Sequence, residues 1–437
     1  MADPSRRGTD TDGNAGADGD AGDDVVGSDA GDDDRAGVRR ISRRQGLAAL
    51  GSVGIAGLAG CSLRSVTDRV WPRWEESLSA TAASPPAATA DHVVVGGQDR
   101  QLHGFTADGT RTLRVETGGP VETRPAVPTT GGPVHAYSTD GDLYTVTTDG
   151  ERLWHVEGRG TRARLERHGS SFVVVDSTDE TVTGYDAVTG ATRFRETSGF
   201  YPPPVVADGL CLLPAVDGAP GPVAVDPETG DRLWTADYGD VYSTALGDEH
   251  VVTRLGETVR CHRARDGRLR WETTAADSVY SSLAVGDDRV YVSAERSDTN
   301  DQLVVIDRES GEITARHTVA YRVGALAAAD GGVFVGSTVN DSDGGTLIRL
   351  DAFGDDDSRL WTRTTELTTG GTIETLGRVG RLLYVANDRA VGAYDPATGE
   401  RRWRYDPNAH RVGVATGNET LFVSHRSTGK LVRLPVD

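Results

Sequence analysis

Along most of the chain, hydrophobic residues occur in short continuous runs or alternate with polar residues, and turn residues separate these runs. One unit reads, in order, PPPVVADG, LCLLPA, PVAVDPE and DRLWTAD. Apolar or alternating runs of this length, bounded by Asp, Gly and Pro, are typical of β-strands. The pattern therefore predicts an all-β chain built from units of four short strands.

The unit recurs along the chain. AYDPATGERRW (Ala393–Trp403) nearly copies AVDPETGDRLW (Ala224–Trp234). Fainter copies carry a turn glycine in the same place. Over the strong and faint copies together the turn glycines are Gly109, Gly150, Gly190, Gly230, Gly267, Gly311 and Gly399. Their spacing is about 40 residues once a variant copy near Asp356 is included, which is the period of propeller-type repeats.

The residue types in this unit predict a structural role. Asp and Thr side chains can accept or donate hydrogen bonds within a turn, Pro presets φ, and Gly accepts a positive φ. A Trp at one register of the following strand is suited to burial between neighbouring sheets. The predicted structural residues are Asp186, Gly190, Asp226, Gly230, Asp395, Gly399, Trp154, Trp234, Trp271, Trp361 and Trp403.

The consensus small–x–Asp–x–x–Thr–Gly–x–x–x–Trp resembles the repeat of PQQ-type β-propellers, the family of quinoprotein alcohol dehydrogenases and BamB lipoproteins. The resemblance covers residues 85–437 and implies an all-β propeller of four-stranded antiparallel blades. Such propellers most often have eight blades, whereas the hairpins counted here make nine. WPRWEESLS (Trp71–Ser79) is the candidate to supply the last blade's missing strand, so that N- and C-terminal strands close the ring.

The charge of the chain indicates the kind of solution in which the protein works. The 437 residues carry a net charge of −20, and Lys430 is the only lysine. An acidic, Lys-poor surface resembles that of halophilic archaeal proteins, although a GC-rich genome also favours Arg over Lys. Nucleic-acid binding is disfavoured, because phosphate contact needs a basic stripe and the sequence shows none.

The N-terminal region predicts export. Residues 1–38 are rich in Gly, Ala and Asp and are expected to be disordered. Residues 39–61 resemble a twin-arginine signal, with Arg43 and Arg44 as the pair, followed by a lipobox ending at Cys61. The rival interpretation of the apolar run Gly46–Gly60 is a transmembrane helix, but the run is shorter than the roughly 20 residues that such a helix needs. Residues 62–84 are expected to form a tether and the closing strand.

Candidate chemistry is sparse. The three cysteines, Cys61, Cys211 and Cys261, include no adjacent pair, whereas the resemblance associates quinone binding with a disulfide of adjacent cysteines. Two acidic loops, Glu295–Asp301 and Val339–Gly345, could supply oxygen ligands for Ca²⁺, but solvated loops are the simpler interpretation. No catalytic residue is assigned, no cofactor is expected, and PQQ is disfavoured.

Two functions follow from these observations. The first is a non-catalytic binding or scaffold module, lipid-anchored at the outer face of the cytoplasmic membrane, whose partner is a protein or a glycan. The alternative is an exported quinone-cofactor dehydrogenase with its site in the propeller funnel. One fold hosts many functions, so enzyme activity stays open and the residues that face the axis are the discriminator.

Overall fold

The computed structural model describes residues 39–40, 70–78, 81, 84–128, 132–158, 163–197, 204–207, 209–214, 216–239, 241–247, 249–275, 282–294, 300–320, 322–329, 331–340, 346–365, 367, 373–407, 410–417 and 419–436. The chain divides into residues 1–37 and 38–437, and the described residues all lie in the second unit. The predicted disordered tail, Arg43, Arg44 and Cys61 lie outside the described residues. Among the residues that are described, no helix is long and apolar enough to cross a membrane.

The strands follow one another with short connections. In chain order they are β1 Arg39–Arg40, β2 Trp74–Ser77, β3 Ala87–Ala88, β4 His92–Gly96, β5 Gln101–Thr106, β6 Arg111–Glu116, β7 Val134–Tyr137, β8 Leu143–Val146, β9 Arg152–Val156, β10 Ala163–His168, β11 Ser171–Asp176, β12 Thr181–Asp186, β13 Thr192–Thr197, β14 Val205–Ala207, β15 Leu210–Leu213, β16 Val223–Val225, β17 Arg232–Thr235 and β18 Ser243–Gly247. The remaining strands are β19 His250–Leu255, β20 Thr258–Arg263, β21 Leu269–Thr274, β22 Leu283–Val285, β23 Arg289–Ala294, β24 Gln302–Asp307, β25 Ile313–Thr318, β26 Val323–Ala329, β27 Gly332–Asn340, β28 Thr346–Gly354, β29 Arg359–Thr364, β30 Ile373–Val379, β31 Leu382–Asn387, β32 Val391–Tyr394, β33 Arg401–Tyr405, β34 Val412–Gly417, β35 Thr420–His425 and β36 Lys430–Leu434.

Over the described ranges these strands pair antiparallel into nine sheets, the nine blades of a propeller. Blade 1 is β3–β6, blade 2 is β7–β9, and blades 3 to 8 are β10–β13 through β30–β33 in groups of four. In blade 2 the backbone bridge between Ala126 and His135 occupies the inner position. Of the two blade counts expected from the sequence, eight and nine, the structure has nine.

Blade 9 is assembled from both ends of the chain. Its first three strands are β34, β35 and β36, and β2 pairs antiparallel with β36 as the outer strand, with Trp74 opposite Arg433. The two-residue strand β1 pairs in turn with β2. The Trp71–Ser79 segment therefore supplies the missing strand, as the sequence predicted, and the ring is closed by N- and C-terminal strands.

The first strand of each blade lies nearest the axis, because the first strands of neighbouring blades contact one another around the ring, from β10 to β34 and from β34 to β3. Nine hydrophobic clusters of described residues lie one at each interface between blades. Val173 and Val175 of β11, for example, face blade 4, while Phe172 and Val174 face blade 2. Both faces of the middle strands are thus buried, which explains their continuous apolar runs.

Antiparallel pairing gives the ring two distinct faces. The turns between first and second strands and between third and fourth strands lie at one end of a blade, which we call the turn face. The loops between second and third strands and the connections to the next blade lie at the other end, which we call the mouth face. The short connections carry this arrangement unchanged from blade to blade.

Candidate functional site

The repeated Asp and Gly residues build the turn between the third and fourth strands. The carboxylate of Asp186 accepts the backbone N–H groups of Val188 and Thr189 at 3.0 and 2.8 Å. Asp226 and Asp395 accept the corresponding amides of their own turns. The glycines that follow, Gly190, Gly230 and Gly399, have φ of 72°, 82° and 68°. These residues therefore hold the chain in a turn that only glycine enters without strain.

Three of the repeated tryptophans join one blade to the next. The indole N–H of Trp234 donates to the carbonyl of Ala264 at 2.6 Å, that of Trp271 to Arg308 at 2.7 Å, and that of Trp361 to Pro396 at 2.9 Å. Each acceptor belongs to the turn of the following blade. The indole rings are buried and also lie against that turn's glycine, so ring and glycine share one packing unit.

Trp154 and Trp403 depart from this arrangement. Trp154 is only partly buried, stacks with Phe172 at a centroid distance of 5.8 Å, and has no hydrogen-bond partner for its indole nitrogen among the described residues. Trp403 is buried, yet its indole nitrogen also lacks a partner there. Blade 9 offers Trp403 no continuous turn, because its third and fourth strands come from opposite ends of the chain.

The wall of the central channel differs from one side to the other. On blades 5, 6 and 7 the inner strands read STALG, LAV and VGALAAA and are largely half-buried. Charged side chains stand instead on β10 of blade 3 and β30 of blade 8, at Arg164, Glu166, Glu374 and Arg378. The inner strands of blades 5, 6 and 7 are thus uncharged, whereas those of blades 3 and 8 carry charges.

A cavity of about 270 Å³ lies in the charged side, between the inner strands of blades 1, 2, 3 and 9. Arg124 of blade 2 crosses it past Ala87 and Ala88 and donates to the carbonyl of Val414 at 2.9 Å. Burial lowers the pKa of Arg124, and the Glu166 carboxylate opposes that shift. Glu166 in turn accepts from Arg164 at 2.7 Å. The cavity is therefore lined by the Arg124 cation and by the Glu166 carboxylate, which is paired with Arg164 outside it.

A second group of charges, the mouth cluster, comprises Glu122, Glu374, Arg411 and Arg426 at the mouth end of blades 2, 8 and 9. The N–H of Arg426 donates to the carbonyl of Arg411 at 3.2 Å, and Gln98 donates to Glu122 at 3.3 Å. Burial and Arg411 lower the pKa of Arg426, while the carboxylates of Glu122 and Glu374 raise it. Two carboxylates and a second cation therefore act on Arg426 where the channel opens.

His135 is a buried histidine held in the neutral form. Its Nε2 accepts from Arg167 at 2.9 Å and its Nδ1 lies 2.8 Å from the hydroxyl of Thr145. Its ring also stacks on Phe172 at 4.2 Å. Burial, with the charge of Arg167, lowers the pKa of His135 to about 3. The residue is thus a structural link between blades 2 and 3.

The two described cysteines are buried, free and far apart in the ring, Cys211 between blades 3 and 4 and Cys261 between blades 5 and 6. Burial raises their pKa values to about 12 and about 11. Within the described ranges no group of three or more His, Cys, Asp or Glu side chains is arranged to hold a metal ion. Of the two acidic loops, residues 295–299 and 341–345 lie outside those ranges, and Asp301 accepts the N–H of Val323 at 2.9 Å.

Sequence reasoning did not find the mouth cluster or the cavity around Arg124. These side chains come from several blades and share no regular spacing in the chain. One sequence feature could have indicated the mouth cluster. Glu122, Glu374 and Arg411 each lie at the start of an inner-strand segment, and these starts are all at the same end of the propeller.

A family model described as outer membrane protein assembly factor BamB matches residues 68–176, 167–252 and 255–426. A comparison with curated protein sequences finds no match. Among solved structures, BamB from Moraxella catarrhalis is similar at 14% identity and a TM-score of 0.53, over 84% of this chain and 97% of that one. The computationally designed Ika8 protein is similar at 17% identity and a TM-score of 0.52, over 82% and 98%.

Saccharomyces cerevisiae Sqt1 is similar at 12% identity and a TM-score of 0.50, over 84% of this chain and 98% of that one. At these identities the solved structures support the fold alone. The family model spans most of the chain, including the repeats that carry the turn glycines and tryptophans. The chain therefore belongs to the BamB family of PQQ-type repeat β-propellers.

Proposed function

We propose that this protein is an exported, lipid-anchored propeller that binds a partner protein at its mouth face without catalysing a reaction. The observation that carries the proposal is the mouth cluster with the cavity behind it. Together they bring cations and carboxylates from four blades to one side of the channel, where Glu374 and Arg411 are exposed to solvent. The inner strands of the opposite wall carry no charged residue.

A protein partner fits this arrangement of charges better than a small substrate. Charges of both signs, spread over four blades, complement a polypeptide surface and favour specificity in its docking. The charged side chains that line the cavity already have partners within the protein, since Glu166 is paired with Arg164 and Arg124 donates to the Val414 carbonyl. The name of the matched family, an assembly factor, is consistent with a role in holding another protein.

The anchoring part of the proposal rests on the sequence. Arg43 and Arg44 resemble the arginine pair of a twin-arginine signal, and Cys61 ends a lipobox-like LAGC. The net charge of −20 suits a surface that stays hydrated in concentrated salt. The proposed location is the outer face of the cytoplasmic membrane.

A crosslinking experiment tests the binding face. A photoactivatable amino acid is introduced at Glu374 or Arg411, both exposed at the mouth, and at Arg232 on an outer strand as the matched control. Irradiation of cells should yield one protein adduct from the mouth positions and none from position 232. Replacing Arg426 by Ala should reduce that adduct. Adducts of equal yield from all three positions, or a glycan adduct alone, would contradict the proposal.

Two further measurements test anchoring and chemistry. Cys61→Ser should move the protein from the membrane fraction to the soluble fraction, and replacing Arg43 and Arg44 by Lys should retain it in the cytoplasm. The absorbance spectrum of the purified exported protein distinguishes the alternative function. A bound quinone chromophore would refute a non-catalytic role.

A further inference from the structure

The exposed large hydrophobic side chains are concentrated at one end of the blades. Seven such residues are found among the described residues, and six of them lie at the turn-face end of an outer strand or in the turn before it. These six, which we call the apolar rim, are Trp71, Leu153, Val188, Leu233, Leu269 and Leu360. The seventh, Tyr242, precedes the inner strand β18 at the mouth face.

The rim is distributed around the ring rather than gathered in one patch. Its residues belong to blades 9, 2, 3, 4, 5 and 7. The most exposed are Trp71 at 63% and Val188 at 62%, with Leu360 at 55%. Side chains spaced around a rim in this way suit a broad, flat partner that touches many blades at once.

The N-terminal segment meets the propeller at the same end. β2 is antiparallel to β36, so Trp71 precedes the turn-face end of that outer strand. The N–H of Val70 donates to the carbonyl of Arg404 on the outer strand of blade 8, which sets this segment on the outer edge. Nine peptide units separate Cys61 from Val70, a reach of roughly 30 Å when fully extended. A lipid on Cys61 would therefore hold this edge near the bilayer.

The polar groups of the rim are compatible with a lipid surface. Arginines adjoin the exposed leucines along the chain, at Arg152, Arg232 and Arg359. Their apolar stems can lie along a lipid surface, while their guanidinium groups bind the Glu116 carbonyl, the Glu196 carboxylate and the Thr318 carbonyl within the protein. Some turn carboxylates are paired with arginines, as Asp186 is with Arg193 at 2.5 Å, Asp266 with Arg263 and Asp395 with Arg402. Their charge is therefore partly compensated at this face.

We propose that the apolar rim rests on the lipid bilayer, so that the turn face lies on the membrane and the mouth face points away from it. This orientation rests on the proposed lipid anchor at Cys61. The rim provides a second membrane contact, which is what stable anchoring requires when one acyl chain alone binds reversibly. Trp71 lies where the N-terminal segment joins the propeller, and tryptophan is enriched at membrane interfaces.

Depth-dependent quenching tests the orientation. Leu360→Cys on the rim and Tyr242→Cys at the mouth face are compared, since both replace an exposed hydrophobic residue and Cys211 and Cys261 are buried. The full-length, membrane-purified variants are labelled with an environment-sensitive fluorophore. They are then reconstituted in phosphatidylglycerol and phosphatidylcholine vesicles that carry a headgroup-proximal nitroxide lipid. The unsubstituted protein measures background labelling.

The label at position 360 should shift to shorter wavelength and lose fluorescence to the nitroxide, as expected for a side chain about 5–10 Å into the interface. The label at position 242 should do neither. The orientation is refuted if the nitroxide quenches the label at position 242 alone, at both positions or at neither. These outcomes leave the proposed lipid anchor at Cys61 unaffected. A wavelength shift at position 360 that persists in detergent and grows with protein concentration would assign the rim to a second copy of the chain. Membrane fractionation of Cys61→Ser reports separately on the anchor, and failure of that assay refutes both proposals.

Discussion

The contact between turn glycine and tryptophan predicts a difference between two glycine substitutions. Gly267 and Gly256 both have positive φ, 68° and 56°. A Cβ at Gly267 would lie 2.5, 2.7 and 2.8 Å from three atoms of the Trp234 ring, whereas a Cβ at Gly256 meets nothing within 4 Å. Gly267→Ala and Gly256→Ala therefore share the backbone effect and differ in the steric one.

The magnitude follows from these distances. An alanine in the left-handed region costs about 1–2 kcal/mol, and both variants bear that cost. Carbon atoms attract best at about 3.5–4.0 Å, so the Cβ at position 267 must push the indole ring away by about 1 Å. Overpacking of a filled core costs about 1–3 kcal/mol. We therefore expect Gly267→Ala to lower the free energy of unfolding by about 1–3 kcal/mol more than Gly256→Ala.

The assay is urea unfolding followed by far-ultraviolet circular dichroism, in one salt concentration for all variants. The midpoints are compared only if the slopes agree, because a large repeat ring need not unfold in two states. Hydrogen exchange at the turn around Gly267 should also accelerate in Gly267→Ala. Equal losses in the two variants, or the larger loss in Gly256→Ala, would show that the indole ring does not pack on this turn.

Three further predictions concern indole docking, ring closure and pH. Trp234→Phe should lower the free energy of unfolding in urea by about 1–3 kcal/mol more than Trp403→Phe. The reason is that the indole N–H of Trp234 donates a hydrogen bond that the substitution removes, whereas that of Trp403 has no partner among the described residues. Equal losses in the two variants would contradict this. Trp74→Ala should cost about 3–5 kcal/mol because the ring is buried in the closing strand, whereas Trp71→Ala, at an exposed position, should change stability by less than about 0.5 kcal/mol; similar melting temperatures for the two would argue against closure by β2. The pKa of His135 is about 3 in the folded protein and higher when unfolded, so the unfolded chain binds more protons between these values and stability falls as pH drops below about 6.5. His135→Gln should flatten the dependence of unfolding free energy on pH between 7 and 5 by up to about 1.4 kcal/mol per pH unit, and an unchanged slope would refute the neutral assignment.

The repeat made most of the fold predictable. The turn from Asp395 to Gly399 is local, since its hydrogen bonds and positive φ involve residues adjacent in the chain. Its recurrence identified the propeller, and the isolated WPRWEESLS segment indicated how the ring closes. The blade count was ambiguous because blade 9 is split between the chain ends and carries no complete copy of the motif.

The candidate site was not predictable in the same way. Arg124 of blade 2 and Val414 of blade 9 are joined by a hydrogen bond past the inner strand of blade 1, although 290 positions separate them in the chain. The four residues of the mouth cluster likewise come from three blades, with Glu122 in blade 2, Glu374 in blade 8, and Arg411 and Arg426 in blade 9. Nothing local distinguishes these charged residues from the many others on an acidic surface. The apolar rim was equally hidden, because single exposed leucines are unremarkable until the strands are placed in space.

The sequence by itself determined the strand period, the turn chemistry and the tryptophan register, because each depends on residues within one unit of about 40 positions. The tertiary structure decided the number of blades, which tryptophans find an acceptor, which charges meet at the mouth and which hydrophobic residues share the turn face. The physical reason is ring closure. Closing the ring brings residues from units that are distant in the chain into contact. Which of these residues touch depends on how all nine blades pack together.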